Sequence, residues 1–291
     1  MMADGPRAFF LPAADGQRYC IYHAAQGVTR GMVLQAAPFA EELNKTRRMA
    51  ALQARALAAA GHAVLQIDLL GCGDSSGDFG DARWPLWIQD LLLAHRWLAG
   101  TLAAHGALPL WIWGIRAGCL LAADAARALD QPCHLLFWQP SFADGTMQLQ
   151  QFLRLRLAAD MLAAPDDAGR ARGAMDALRR QLAAGETLQV AGYALHPDLA
   201  AGLQASRLVP PPAGGTARQL VWMEVGSAAQ AALSPFGKRT LSLWQQAGWQ
   251  VEGLVAQGPA FWQSAEIKEA PALLEATVAA LAQPSAETMP A

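Results

Sequence analysis

The 291-residue chain is long enough for one large α/β domain with a small inserted subdomain. Its 53% apolar content excludes global disorder, and a formal net charge of −2 excludes the strong basic excess that nucleic-acid binding requires. Only 16% of residues are charged while ten are tryptophan, so large apolar surfaces must be covered, in a core or in a pocket.

In chain order, short apolar runs alternate with helix-like stretches, the pattern of βαβ units around a mostly parallel sheet. "RAFFLPA" and "RYCIYHAA" read as an opening hairpin around Asp15-Gly16, and "GMVLQAAPF" as a buried strand. "NKTRRMAALQARALAAAG" is a helix that stops at Gly61. "HAVLQIDLLGCGDSSGDF" is a strand running into a Gly-rich polar loop, and "WPLWIQDLLLAHRWLAG" has apolar residues at helical spacing. "WIWGIRAGCLLAADAAR", residues 111–127, is a strand, a tight turn and a helix, and "CHLLFWQPS" is the next strand.

The pattern changes after Ser141. Residues 146–205 hold two arginine-rich helical pieces and are expected to form a helical lid inserted into the sheet domain. Leu149, Phe152, Leu153, Leu157 and Met161 fall near one face of the first piece, with Arg154 and Arg156 elsewhere. "RLVPPPAGGTARQ" is a connector back to the sheet. "LVWMEV" and "WQVEGLV" are two more strands, with "SPFGKRTLSLWQQAG" a helix between them and "EAPALLEATVAALA" the last helix. The sheet domain is thus expected over 1–145 and 206–282, with 283–291 a disordered tail.

Cys20, Cys72, Cys119 and Cys133 lack the spacing of a zinc or redox motif, so no metal and no cofactor are expected. No basic segment followed by an apolar run opens the chain. The longest apolar stretch is broken by Arg116 and preceded by Pro109, which excludes a membrane span there. A cytoplasmic protein is expected.

The turn Gly114-Ile115-Arg116-Ala117-Gly118 has the layout of a nucleophile elbow, Gly-x-nucleophile-x-Gly, with arginine in the nucleophile's place. Gly114 and Gly118 permit strand and helix to approach, and Ala117 avoids crowding. The helix start points free N–H groups and a positive dipole end at the same spot, so Arg116 adds charge to a site that is already positive.

Strand, elbow, helix, the run Asp68 to Ser75 and an insertion before the last two strands together resemble the α/β-hydrolase fold: a mostly parallel central sheet with helices on both faces and an inserted helical lid. The resemblance spans nearly the whole chain. More narrowly, "APFAEELNKTRRM", "WGIRAG", "QPSFADGTMQLQQFLRLRLA" and "GPAFWQSAEI" look like the exosortase A system-associated hydrolase 2 family. That resemblance implies a hydrolase fold in the setting of exopolysaccharide and protein-sorting functions of Gram-negative bacteria. It also implies that "APFAEELNKTRRM" stands where the fold supplies an oxyanion-hole amide.

The catalytic residues of that fold do not carry over. A serine hydrolase needs Ser, acid and His in chain order. Arg116 holds the nucleophile position and stays protonated. The last histidine is His196, inside the insertion, and Phe261 and Trp262 occupy the region of the base. The last aspartate is Asp198, and the carboxylate nearest the acid position is Glu224. Cys119 just past the elbow, Cys72 in the Gly-rich loop and Ser75 are the other candidate nucleophiles. Cys119 reads first as an inward-facing helix residue, Cys72 as loop packing and Ser75 as a structural serine, and His196 reads as a surface residue before Pro197.

A buried guanidinium requires a counter-charge. The candidates are Glu41 and Glu42 in the oxyanion-loop analogue, Glu224, and Glu266 near the lost histidine. Three readings stand side by side. Arg116 forms a structural pair in a closed site; or it recognises a carboxylate, a phosphate or an acyl ligand, which a carrier protein could present; or Glu41 or Glu42 activates a water while Arg116 stabilises an oxyanion. A scaffold that binds a partner through the lid is the companion of the first reading.

Overall fold

The computed structural model describes residues 5–163, 173–211, 218–228, 231–264 and 266–282. The tail 283–291 lies outside them. An antiparallel hairpin, β1 (Arg7–Ala13) and β2 (Gly16–His23), opens the chain, with Gly16 at φ 93° in its turn. β3 (Gly31–Ala36), α1 (Glu41–Ala59), β4 (His62–Ile67), α2 (Trp84–Thr101), β5 (Leu110–Ile115), α3 (Gly118–Ala128) and β6 (His134–Trp138) follow in alternation. Next come α4 (Gly145–Ala163), α5 (Ala174–Ala183), the short strands β7 (Leu188–Val190) and β8 (Tyr193–Leu195), and α6 (Pro197–Ala205). β9 (Gln219–Gly226), α7 (Pro235–Gln246), β10 (Gln250–Gln257) and α8 (Pro271–Ala282) complete the chain.

Eight strands form one sheet in the order β1-β2-β4-β3-β5-β6-β9-β10. The first two pairings are antiparallel and the rest parallel. Every residue of β3 and β5 is buried, as a strand covered on both faces must be, and this is why both read as unbroken apolar runs. α1 and α8 pack on one face; α2, α3 and α7 pack on the other. Nine of the ten tryptophans are buried, so the apolar surface signalled by composition lines the core. Each such side chain removes roughly 150–250 Å² from water.

The segment between β6 and β9 stands outside the main sheet. It is more varied than the two helical pieces expected, because it includes the two-stranded β7–β8 ribbon and the separate helix α6. Three-residue strands carry too little periodicity to be read from sequence. The segment meets the loops that leave the carboxyl ends of β3 and β4: Phe39 lies 5.1 Å from Phe152, and Phe79 lies 4.9 Å from Tyr193. Asp144 and Arg207 form an antiparallel bridge at its two ends. Arg127 of α3 donates to the carbonyls of Arg207 (3.1 Å) and Val209 (2.8 Å), which fixes those ends to the sheet domain.

Of the apolar face expected on α4, Leu149, Phe152 and Leu153 are buried and Leu157 is partly covered. Met161 is 60% exposed, because the last turns of α4 run past the surface that covers the first three. Arg154 is exposed, and Arg156 pairs with Asp160 (2.9 Å) while donating to the Gln189 carbonyl.

Candidate functional site

The expected site lies at the carboxyl ends of β3, β5, β6 and β10. The turn from β5 into α3 is as tight as its sequence implies. A Cβ on Gly114 would fall 2.6 Å from Cys119 Cα, and one on Gly118 would run into the Ala36 carbonyl. Only glycine lets α3 start this close to β3 and β5. Arg116 takes φ 56°, a left-handed conformation that costs an L-residue on the order of 1–2 kcal/mol. Its N–H donates to the Trp138 carbonyl (2.9 Å), and its own carbonyl accepts from Cys119 N–H (3.1 Å).

The Arg116 side chain is only 7% exposed and is compensated from within the protein. Nε and Nη2 both donate to one oxygen of Glu42, Oε1, at 3.1 and 3.0 Å. Nη1 donates to the Gln139 carbonyl at 3.4 Å. The Trp262 ring covers the guanidinium, with Cζ 5.1 Å from the ring centroid. Trp262 is packed by Phe261 (5.1 Å), and Phe261 by Trp138 (6.3 Å). The site is therefore filled by protein groups on the sides contributed by α1, β6 and the loop after β10.

Glu42 arrives there because α1 begins abruptly. Ala40 holds φ 50°, and Glu41 and Glu42 form the first turn, where the helix dipole favours negative charge. Glu42 thus meets the positive starts of α1 and α3 and the Arg116 charge together. Among the described residues, its second oxygen, Oε2, is buried without a hydrogen-bond partner, as is Nε1 of Trp262. Among the described residues, four non-glycine residues have positive φ, and three of them (Ala40, Arg116 and Gln139) stand at this site. Such strain persists only where the surroundings over-determine it.

The other candidates go elsewhere. Glu41 is half-buried, and burial pushes its carboxyl above the usual range, with Glu42 adding to the effect and Lys45 and Arg116 opposing it. Glu224 is buried but faces α7, where it accepts from Trp222 Nε1 (2.9 Å), Ser234 N–H (2.7 Å) and Ser234 Oγ (2.7 Å). Strand alternation decides this: Met223, the residue before it, points to the face packed by α8. Glu266 is exposed, and it is Glu269 of the same loop that forms an ion pair, with Arg48 at 2.7 Å.

The alternative nucleophiles are held by burial or by local hydrogen bonds in this structure. Burial pushes the Cys119 thiol well above its ordinary value, and Sγ donates to the Gly114 carbonyl at 3.3 Å. Burial pushes the Cys72 thiol up to about 12. Ser75 Oγ accepts from Tyr19 N–H (2.8 Å) and donates to the Asp68 carbonyl. His196 caps α6, its Nδ1 accepting from Asp198 N–H at 3.1 Å.

Sequence reasoning missed Gln139. Its carbonyl is the third group on the guanidinium, and its side chain ties β6 to β9 by accepting from Val225 N–H at 2.6 Å. A backbone carbonyl carries no residue-type signal that could have announced this. Among the described residues, no group of three or more His, Cys, Asp or Glu stands together to hold a metal ion, and no helix is long and apolar enough to cross a membrane.

No protein-family model matches the chain, and no curated protein sequence matches it. Solved structures do. A thermostable carboxyl esterase from Bacillus coagulans, in complex with glycerol, is 14% identical with a TM-score of 0.61, covering 97% of this chain and 98% of that one. A monoglyceride lipase from Saccharomyces cerevisiae, with a substrate analogue, is 13% identical with a TM-score of 0.59, covering 96% of each chain. Est1E from Butyrivibrio proteoclasticus, with ferulic acid bound, is 14% identical with a TM-score of 0.55, covering 94% of this chain and 96% of that one. At these identities the likeness is one of fold. The chain has the α/β-hydrolase fold, with an eight-stranded, mostly parallel sheet.

Proposed function

We propose that this chain is a non-catalytic protein on the α/β-hydrolase fold, whose elbow is a closed structural ion pair. The carrying observation is the Arg116 guanidinium, 7% exposed, held by Glu42 and covered by Trp262. A nucleophile position filled by a permanent cation cannot attack a carbonyl, and the region of the base is occupied by Phe261 and Trp262. On this reading the triad is degenerate at all three positions. An external anion would have to displace a buried carboxylate from the guanidinium, which disfavours the anion-binding alternative.

The narrower assignment is to the setting of exosortase-associated, exopolysaccharide-linked hydrolases, in the cytoplasm. Its support is that Glu42, Arg116 and Trp262 come one each from "APFAEELNKTRRM", "WGIRAG" and "GPAFWQSAEI", and these meet in one cluster. The expected lid 146–205, of which 164–172 lie outside the described residues, acts in this reading as a cap that a partner contacts. The tie from Arg127 to Arg207 and Val209 supports a fixed cap over a gate.

A fluorophosphonate probe tests the proposal. The folded protein should stay unlabelled, and Arg116→Ser should not produce an efficient esterase, since a general base normally supplies about 10²–10⁴-fold. Stoichiometric labelling of one serine, lost when that serine is replaced, would overturn it.

A further inference from the structure

A second feature of the molecule lies against α1. A cavity of ≈ 190 Å³ opens between α1 and strands β2, β3 and β4. That is several times the roughly 30 Å³ share of one water molecule. Its apolar lining combines the short side chains of Ala50 and Ala51 of α1, which leave space, with the larger Ile21, Leu43 and Ile67.

The floor is a fixed amide chain. His23 is buried and kept neutral by that burial, and its Nε2 lies 3.1 Å from Gln66 Oε1. This orients the Gln66 amide, whose Nε2 donates to Gln35 Oε1 at 2.6 Å. The carbonyl of Gln35 is thereby used, and among the described residues its amide N–H₂ has no protein partner. At the mouth, Arg47 reaches Asp68 at 3.4 Å and Asn44 at 3.3 Å, both long contacts at the outer edge of hydrogen bonding. Arg47 is 42% exposed, so its guanidinium can turn to a ligand without unfolding anything.

Three properties of this lining select an occupant. Arg47 and Asp68 cancel, so a simple anion or cation meets a like charge as well as an opposite one. Donors (Gln35, Arg47) and an acceptor (Asp68) are both offered, which suits groups that donate and accept at once. A hydroxyl is such a group. The apolar lining of Ile21, Leu43, Ala50, Ala51 and Ile67 suits the C–H face of a small carbon frame. We propose that this cavity binds a small neutral polyhydroxylated molecule, about the size of one sugar ring, through Gln35, Arg47 and Asp68. The proposal is independent of the state of Arg116.

Ligand-observed saturation-transfer NMR on the full chain tests it, with glucose, galactose and glycerol at millimolar concentration and butyrate as the anionic comparison. Transfer to at least one of the three polyols is expected, with little to butyrate. Arg47→Ala should weaken that binding by about tenfold or more, as loss of a charged hydrogen bond implies, while the far-ultraviolet spectrum stays unchanged. Ala51→Phe, which fills the cavity, should abolish it; should that variant fail to fold, Arg47→Ala alone decides. Absence of transfer to every polyol, preference for butyrate, or a change of less than about twofold in Arg47→Ala overturns the proposal.

Discussion

Removing the Arg116 guanidinium alone should be far more damaging than removing the whole pair. Arg116 and Glu42 side chains are each 7% exposed, so Arg116→Met leaves a carboxylate buried with neither oxygen paired to a cation. Breaking a buried pair in this way costs about 3–5 kcal/mol. The lost contact with the Trp262 face adds roughly 0.5–2 kcal/mol. At about 2–4 °C per kcal/mol for a large domain, the pair alone predicts a fall in Tm of roughly 6–20 °C. The double variant Arg116→Met, Glu42→Leu removes both charges, and its stability should lie within about 2 kcal/mol of the native protein. Urea unfolding of the four proteins, followed by tryptophan fluorescence, gives the coupling energy directly. Backbone strain can be separated by comparing Arg116→Gly with Arg116→Ala: at φ 56° the glycine should lose less, by about 1 kcal/mol. If Arg116→Met costs under about 1 kcal/mol, or the two single changes simply add, the pair does not hold the elbow and the reasoning fails.

Gln53 is fully buried, and among the described residues neither polar atom of its amide has a partner, so Gln53→Met should raise stability by about 1–3 kcal/mol in the same assay; a loss would show that the amide is satisfied. Burial raises the Cys20, Cys72 and Cys133 thiols to about 12, so at pH 8 all three stay protonated. Iodoacetamide should therefore leave the native protein unmodified by mass spectrometry and react only after denaturation. The Glu41 carboxyl is raised above 4.5 by burial, so the folded state holds its proton more tightly and the charge becomes destabilising as pH rises through that window. Glu41→Gln should accordingly raise Tm at pH 7 and have no effect at pH 4; equal shifts at both would remove ionisation as the cause.

The order of elements was legible because it rests on local rules. Strand and helix periods, the buried runs of β3 and β5, and the stops at Gly16 and Gly61 are each set by a few neighbouring residues. The facts that residue 116 is arginine and that no histidine follows His196 are likewise complete in the sequence. The hairpin β7–β8 and the exposure of Met161 were not, since three-residue strands have no measurable period and a helix face says nothing of how far its partner extends. The site divides in the same way. A buried cation at a helix start, which had to be neutralised, was legible in the sequence, as were four candidate carboxylates for its partner. Only tertiary structure chose Glu42, which lies 74 residues away in the chain. The choice depends on the strained start of α1 at Ala40, on the alternation that turns Glu224 toward α7, and on the loop that lays Trp262 over Arg116. Each of these is a long-range relation between segments whose own sequences are satisfied locally in many ways, so the packing of the whole sheet decided them.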